Sequence, residues 1–373
     1  MNHVQRPLLR RTYLQPHESL PSLVIRAAAD NGYHSATMIT WLCHDRLSYQ
    51  DSITRPKKSQ TYTVLENLIR IAAEDLYAAS VHRFATTMMP PTSTPQAVML
   101  PAGQKVPVMS NAFLRAQAWP ESDAQFCPLC LQEAAYHRLE WMPLAISMCL
   151  THQCLLVRGC PQCHTALAIT DIVETRCSTC DLDLTTVFTP NLAADSPGIL
   201  AQTLIQAWLG IHPAPESGSC GSLPMQPSPV LYRLLEGFRK TIMRVNHSWP
   251  QLHQPPSGTF PDLFPCTSKR DITPAKSYIL YTTAFQGLVD WPNGFHAFLD
   301  VYRMRDGRTE QGSVYHDLRY IYAAWLQKAW RHPDFQFVQQ AFDQYLLIRY
   351  PNLSTCLRRS RESLSPPLGL PEE

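Results

Sequence analysis

The stretch FCPLCLQEAAYHRLEWMPLAISMCLTHQCLLVRGCPQCHTALAITDIVETRCSTCDLDL, residues 126–184, decides how the rest of the chain is read. It holds eight of the 12 cysteines, while Cys43, Cys220, Cys266 and Cys356 are scattered. Cysteines crowded into short pairs point to metal rather than to a disulfide framework. Cys127 and Cys130 are followed, after 18 intervening residues, by Cys149 and His152. Cys160 and Cys163 are followed, after 13, by Cys177 and Cys180. A Cys-x-x-Cys turn aims two thiolates at one ion about 2.3 Å away, and two such turns complete a tetrahedron. The spacing therefore predicts two Zn2+ sites, with a short β-ribbon or helix between the paired turns of each. Four protein ligands leave no open position, so the metal is expected to be structural rather than catalytic. A single pair could be redox-active or merely buried, but consecutive pairs at these spacings argue against both. His137, His164 and Cys154 lie nearby and are read as outside the ligand sets. Metal binding and folding are coupled in such modules, so chelation is expected to unfold the segment.

Working outward, the chain has 373 residues, past the size at which one hydrophobic core stops growing. Its 45% hydrophobic and 17% charged residues are those of an ordinary globular protein. No apolar run approaches the roughly 18 residues of a membrane span, and MNHVQRPLLRRTYLQP lacks the apolar core of a secretory signal. Cytoplasmic residence, with no membrane association, is the expectation. Net charge is +2, and its distribution says more. Residues 1–125 carry 12 Lys/Arg against 9 Asp/Glu, residues 126–186 carry 3 against 6, and residues 187–373 carry 17 against 15. A protein gripping DNA through its own phosphate contacts usually shows a strong basic stripe, and no segment shows one.

Before the cysteine-rich segment the pattern is helical. Glu18-Ser19 opens an amphipathic run with Leu20, Leu23, Val24 and Ala27, and Asn31-Gly32 closes it. Ser35 caps a second run with Met38, Ile39 and Leu42. Val64, Leu65, Leu68, Ile69 and Ala72 mark a third helix, with a turn near Ala73 before Leu76, Ala79 and Ser80. Helix, short turn, helix is the spacing of a helix-turn-helix, which would read DNA or simply pack; both readings stay open here. Ala85–Met109 reads as a loop or irregular strand.

After the cysteines come a helix around Ile199–Trp208, a Pro/Ser/Gly-rich linker over His212–Pro229 and a helix over Val230–Val245. A Pro-rich loop follows from Trp249 to Pro265. Thr273-Pro274 and Trp291-Pro292 each begin a helix. Tyr315–Trp330 reads as another, and the last presents Phe335, Val338, Phe342, Tyr345 and Leu346 inward. These aromatic stripes are read as core rather than as base-stacking platforms. Arg358, Arg359 and Arg361 lie in a polar tail. The fold class predicted is mainly α with small zinc-ribbon β elements. Its parts are an N-terminal helical, helix-turn-helix-like region (1–125), a tandem zinc-finger module (126–186), a helix and linker (187–229) and a C-terminal helical bundle with a polar tail (230–373). No phosphate-binding G-x-x-x-x-G-K-[ST] loop, H-E-x-x-H, G-x-S-x-G or dinucleotide glycine pattern occurs, so no enzymatic activity is expected.

ESLPSLVIRAAADNGY (Glu18–Tyr33), FCPLCL (Phe126–Leu131), WMPLAISMCLTHQCLL (Trp141–Leu156) and GCPQCHTAL (Gly159–Leu167) resemble the TniQ/TnsD family of transposon target-selection proteins. WPNGFHAFLD (Trp291–Asp300) and PDFQFVQQAFDQYL (Pro333–Leu346) resemble the helical C-terminal part of its longer members. Gln153 departs from the pattern, since a glycine is usual after the histidine, and is expected to disturb the turn without removing a ligand. The resemblance implies a non-catalytic adaptor that works with a TnsC-type AAA+ ATPase. Shorter members couple that ATPase to a Cascade-like CRISPR effector with its guide RNA on target DNA, whereas TnsD-like members bind an attachment site directly. The chain's length and weak segmental charge favour the RNA-guided adaptor. A homodimer stays open, since some relatives pair head to tail. An N-terminal arm with Arg6, Arg10, Arg11 and Tyr13, read as free to dock, is the candidate ATPase contact. The basic loop Arg55, Lys57 and Lys58 is the candidate contact for DNA or guide RNA.

Overall fold

A computed structural model describes residues 7–33, 53–89, 96–110, 113–114, 124–192, 197–213, 223–224, 226–245, 272–304, 318, 321, 326 and 331–349. Arg6, the helix expected from Ser35 to Leu42, the four scattered cysteines and the Pro-rich run from Trp249 lie outside the described residues. So do Arg358, Arg359, Arg361, most of the linker after His212 and most of the helix expected over Tyr315–Trp330.

Among the described residues the fold is mainly α, and its strands form three two-stranded antiparallel ladders. Two compact units divide the chain, one of residues 1–220 with 225–285, the other of residues 221–224 with 286–373. No helix among the described residues is long and apolar enough to cross a membrane.

The first unit begins with α1 (Leu20–Asp30). Ser19 caps it by accepting from the Ser22 N–H at 3.4 Å, and Asn31 with Gly32, at φ +77°, ends it. Leu20, Leu23, Val24 and Ala27 are all buried on its inner face. α2 (Ser59–Ile69) ends at Arg70 in the left-handed region, φ 62°, and α3 (Ala73–Ala78) follows. The turn thus falls at Arg70–Ala72, and Ala73 is already helical. A short helix α4 (Ala85–Met88) leads to the hairpin β1 (Gln96–Met99) and β2 (Lys105–Val108). Within this stretch, read from sequence as a loop or irregular strand, Val98, Leu100, Val106 and Val108 face one way, into a core shared with α1, α2 and α3.

The cysteine-rich segment is threaded through this unit. β3 (Gln125–Phe126) pairs with β6 (Val157–Arg158), and β4 (Met148–Cys149) with β5 (Cys154–Leu155). Two short helices, α5 (Pro128–Glu133) and α6 (Ile169–Val173), carry the intervening chain, and α6 packs on α1. α7 (Pro197–Trp208), α8 (Ser228–Val245) and α9 (Pro274–Gln286) complete the unit. At Gly198 the helices α7 and α9 approach so closely that an added Cβ would lie 2.1 Å from the Tyr278 ring. A buried ion pair links Glu236 and Arg239 on α8 at 2.9 Å, and the Tyr281 hydroxyl of α9 donates to the same carboxylate. Burial raises the Glu236 carboxyl, but the Arg239 guanidinium outweighs it and holds the group down at about 2.

In the second unit, α10 (Asn293–Met304) meets α11 (Gln336–Arg349). Tyr345 donates to Asp300 at 2.8 Å, and the His296 ring donates to the Ala341 carbonyl at 2.9 Å. Phe335, Val338, Phe342, Tyr345 and Leu346 are buried.

Candidate metal centres and exposed basic surface

Cys127 is the N-cap of α5, Pro128 opens that helix, and Cys130 follows one turn later. Proline at this position has the φ a first helical turn needs and no N–H to leave unpaired. The second half of the centre comes from the β4–β5 hairpin. Cys149 lies in β4, His152 in its loop, and Gln153 closes the turn at φ 48°. The Cys130 and Cys149 sulfurs are 3.6 Å apart. His152 Nδ1 lies 3.5, 3.3 and 3.6 Å from the sulfurs of Cys127, Cys130 and Cys149. Zinc–sulfur bonds of about 2.3 Å place tetrahedral sulfurs about 3.8 Å apart, and sulfur and nitrogen about 3.6 Å apart. The donors fit that geometry, and the four ligand atoms lie within 4.8 Å of one another.

His152 also has its outer nitrogen fixed. Nε2 is 3.0 Å from Glu133 Oε1, and Arg138 approaches the other oxygen of that carboxylate at 3.8 Å. A carboxylate on the far nitrogen sets the tautomer so that Nδ1 offers its lone pair to a metal. Among the thiols, hydrogen bonds from Cys130, Cys149 and Cys154 pull Cys127 far down, while the bond to Cys127 pushes Cys130 far up. Donors this close resist ionising together, and a bound cation removes the conflict.

The second centre is built from two like turns. His164 N–H donates to Cys160 O at 2.9 Å, and Asp181 N–H to Cys177 O at 2.8 Å. His164 and Asp181 both take left-handed φ, 60° and 59°. Cys160 and Cys180 sulfurs are 3.6 Å apart, and Cys163 and Cys177 sulfurs 3.7 Å apart. All four ligand atoms again lie within 4.8 Å of one another. Cys160 and Cys177 are buried, while Cys163 and Cys180 are half-buried. The Asp171 carboxylate of α6 accepts from the N–H groups of Ala168 at 2.6 Å and Ser178 at 2.9 Å, which fixes the second turn. Each cluster can hold a metal ion.

The neighbours read as bystanders have other places. His137 is buried, its Nδ1 lies 2.9 Å from Ser19 Oγ, and its ring packs edge-on against Trp141. His164 is exposed on its turn. Cys154 is fully buried beside Cys127. Sequence reasoning missed the buried glutamines that hold the chain between the first centre's turns. Gln202 of α7 donates to Ala145 O at 3.0 Å and accepts from Ser147 N–H at 3.1 Å. Gln125 donates to Ile146 O at 2.8 Å. The only local signal was a glutamine among apolar neighbours, in β3 for Gln125 and on α7 for Gln202.

Residues 9–156 match the TniQ family model. That stretch of the chain is a TniQ domain. The match takes in α1 to β5 and all four donors of the first centre, and ends four residues before Cys160 of the second. A TniQ domain implies a transposition-associated target-selection protein. No curated protein matches the chain.

Within the TniQ domain, the expected arm is anchored rather than free over residues 8–12. Leu8 N–H donates to Leu68 O at 2.9 Å, and Arg10 exchanges hydrogen bonds with the Asn31 amide at 2.8 and 3.0 Å. Thr12 is buried and bonded to Asp30. Anchoring leaves Leu9, Arg10, Arg11 and Tyr13 projecting to solvent, with the Arg11 guanidinium 5.0 Å from the Tyr13 ring centroid. Arg55, Lys57 and Lys58 share the loop before α2; Arg55 and Lys57 are half-buried and Lys58 is exposed. Behind them lies His82, also missed from sequence. Its Nδ1 accepts from the Met109 N–H at 3.1 Å, and burial, followed by the Lys57 and Arg55 charges, lowers it to about 4. The helix pair α2–α3 packs in the core, and the first turn of α3 carries Glu74 and Asp75. Acidic side chains at the start of a second helix oppose the phosphates lining a major groove.

Proposed function

We propose that the protein is a target-selection adaptor linking an RNA-guided, Cascade-like CRISPR effector at target DNA to a TnsC-type AAA+ ATPase. The observation that carries the reading is the TniQ domain itself, with its anchored and exposed Leu9, Arg10, Arg11 and Tyr13. A main chain already fixed by hydrogen bonds loses little entropy on docking, so two arginines and a tyrosine held outward make an inexpensive recognition surface for an acidic patch on the ATPase. Both metal centres hold structural Zn2+ in this reading and form a tandem zinc-ribbon module, since all-Cys/His sets with four protein donors leave no position for substrate. No catalytic step is assigned to the chain. Arg55, Lys57 and Lys58 contact guide RNA or DNA within the assembly, and a homodimer is compatible with the role.

The runner-up is a TnsD-like reader of an attachment site. It needs a base-reading helix, and the acidic first turn of α3 weighs against the one candidate. The test is binding of the zinc-loaded protein to duplex DNA alone and to a guide-RNA effector complex, at about 0.15 M salt where weak phosphate contacts are screened. Effector binding with negligible duplex affinity is the expected result. Tight sequence-specific duplex binding without RNA would overturn it. Charge reversal at Arg10 and Arg11 is expected to abolish ATPase recruitment while leaving the circular dichroism spectrum unchanged; undiminished recruitment would remove the arm from the interface.

A further inference from the structure

The first metal centre has a sulfur more than its ligand set uses. Cys154 Sγ lies 3.6 Å from Cys127 Sγ, the spacing of two sulfurs on one tetrahedral ion, although Cys154 stands beside the four-donor group rather than within it. Its backbone is held on both sides. Cys154 is the cross-strand partner of Cys149 in the β4–β5 hairpin, and an isolated antiparallel bridge joins it to Asn191. Directly opposed residues of an antiparallel pair have their Cβ atoms on one face, about 5 Å apart. The thiol is therefore delivered next to two of the ligand sulfurs by strand pairing, and it is fully buried. A buried cysteine elsewhere in a core is a small hydrophobe. Here its hydrogen-bond partner is a metal-ligand sulfur, that of Cys127.

We propose that Cys154 is a reserve ligand of the first centre: it donates its S–H to the Cys127 sulfur while His152 is in place, and when His152 is withdrawn it releases that proton to solvent and, as the thiolate, completes a four-sulfur set with Cys127, Cys130 and Cys149. The proposal rests on the reading that this centre binds zinc. It makes the half-buried imidazole, tethered to the exposed Glu133 carboxylate, the exchangeable donor, and the buried sulfurs the permanent ones.

Cadmium-113 NMR of the full chain tests it, because the resonance moves to higher frequency as sulfur replaces nitrogen around the ion. Wild-type protein should give two resonances, one for three sulfurs with one nitrogen and one for four sulfurs. In His152→Ala both should remain, with the first shifted into the four-sulfur region. Loss of that resonance, or a shift the other way, overturns the proposal. Cys154→Ala supplies a second reading that does not depend on removing a ligand. It should weaken metal binding at the first centre by about tenfold, as loss of a hydrogen bond to a ligand does, with the second centre as an unchanged internal reference. Equal affinity in Cys154→Ala and wild type overturns the proposal. Wild-type protein that binds no cadmium at all would instead overturn the metal reading beneath it, a result distinct from either variant's.

Discussion

At the scale of single residues, burial sets the behaviour of His82. Its folded-state value, about 4, lies below the ordinary 6.5, so folding favours the neutral ring. The stability it contributes is fully present above pH 6.5 and is lost as pH falls through that value toward 4. Between about pH 7 and pH 5 the wild type should lose roughly 2 kcal/mol more stability than His82→Gln, measured by denaturant titration at both pH values. Protonation of metal ligands acts on both proteins alike and cancels in the difference. An equal loss would show that the ring is not held neutral. Gln153 makes a second case at this scale. The sequence reading expected it to disturb the turn after His152, yet the hairpin keeps its Cys149–Cys154 register with Gln153 at φ 48°. The turn is retained at the cost of a left-handed non-glycine residue, about 1 kcal/mol. Gln153→Gly should therefore raise stability by up to about 0.5 kcal/mol with metal content unchanged, after allowing for glycine's greater unfolded freedom. A lower melting temperature would mean that the side chain contributes contacts that outweigh the strain.

At the scale of elements, the chain between the first centre's turns depends on α7. Gln202 is fully buried and pairs both ends of its amide with the main chain at Ala145 and Ser147. Gln202→Leu leaves a buried carbonyl and a buried N–H unpaired, so unfolding should become easier by about 2–4 kcal/mol. Thermal melts of the zinc-loaded variant check this, and a change under about 0.5 kcal/mol would mean that water or a repacked neighbour takes over the amide's role. Such clamps mark where sequence stops being legible. Ligand pairs announce themselves because i, i+3 spacing is local, and α1 is readable because its cap, apolar face and Asn31-Gly32 stop all lie within one short run. Gln202, Gln125 and His82 act on partners 57, 21 and 27 residues away, and nothing near them in sequence marks the partner. The β1–β2 hairpin was hidden for another reason. Pro101 and Pro107 argue against a strand, and only the alternating burial of Val98, Leu100, Val106 and Val108 reveals it once α1 to α3 supply a surface.

At the scale of the whole molecule, the metal centres are woven into the N-terminal helices instead of forming an appended module. α6, which lies between the second centre's cysteine pairs, packs on α1, while Ser19 and Ser22 of the α1 start bond His137 between the first centre's pairs. α5 of the first centre reaches the chain just past the second through Gln132 and the Thr185 carbonyl, at 2.6 Å. Structural zinc contributes about 10–16 kcal/mol to small modules, as much as the whole stability of an ordinary domain. Removing it should therefore loosen more than residues 126–186. Under reducing conditions with a strong chelator, hydrogen exchange should accelerate in α1 and in the adjoining arm at Leu8–Thr12, as well as around the cysteines. In the second unit, α10 and α11 keep their own contacts through Asp300, His296 and Tyr345, so their protection should persist. Exchange confined to residues 126–186 would show that the helices stand without the metal. Protection lost together from α1 and the arm would make zinc a condition for presenting Arg10, Arg11 and Tyr13, so metal content and ATPase recruitment should then titrate in parallel.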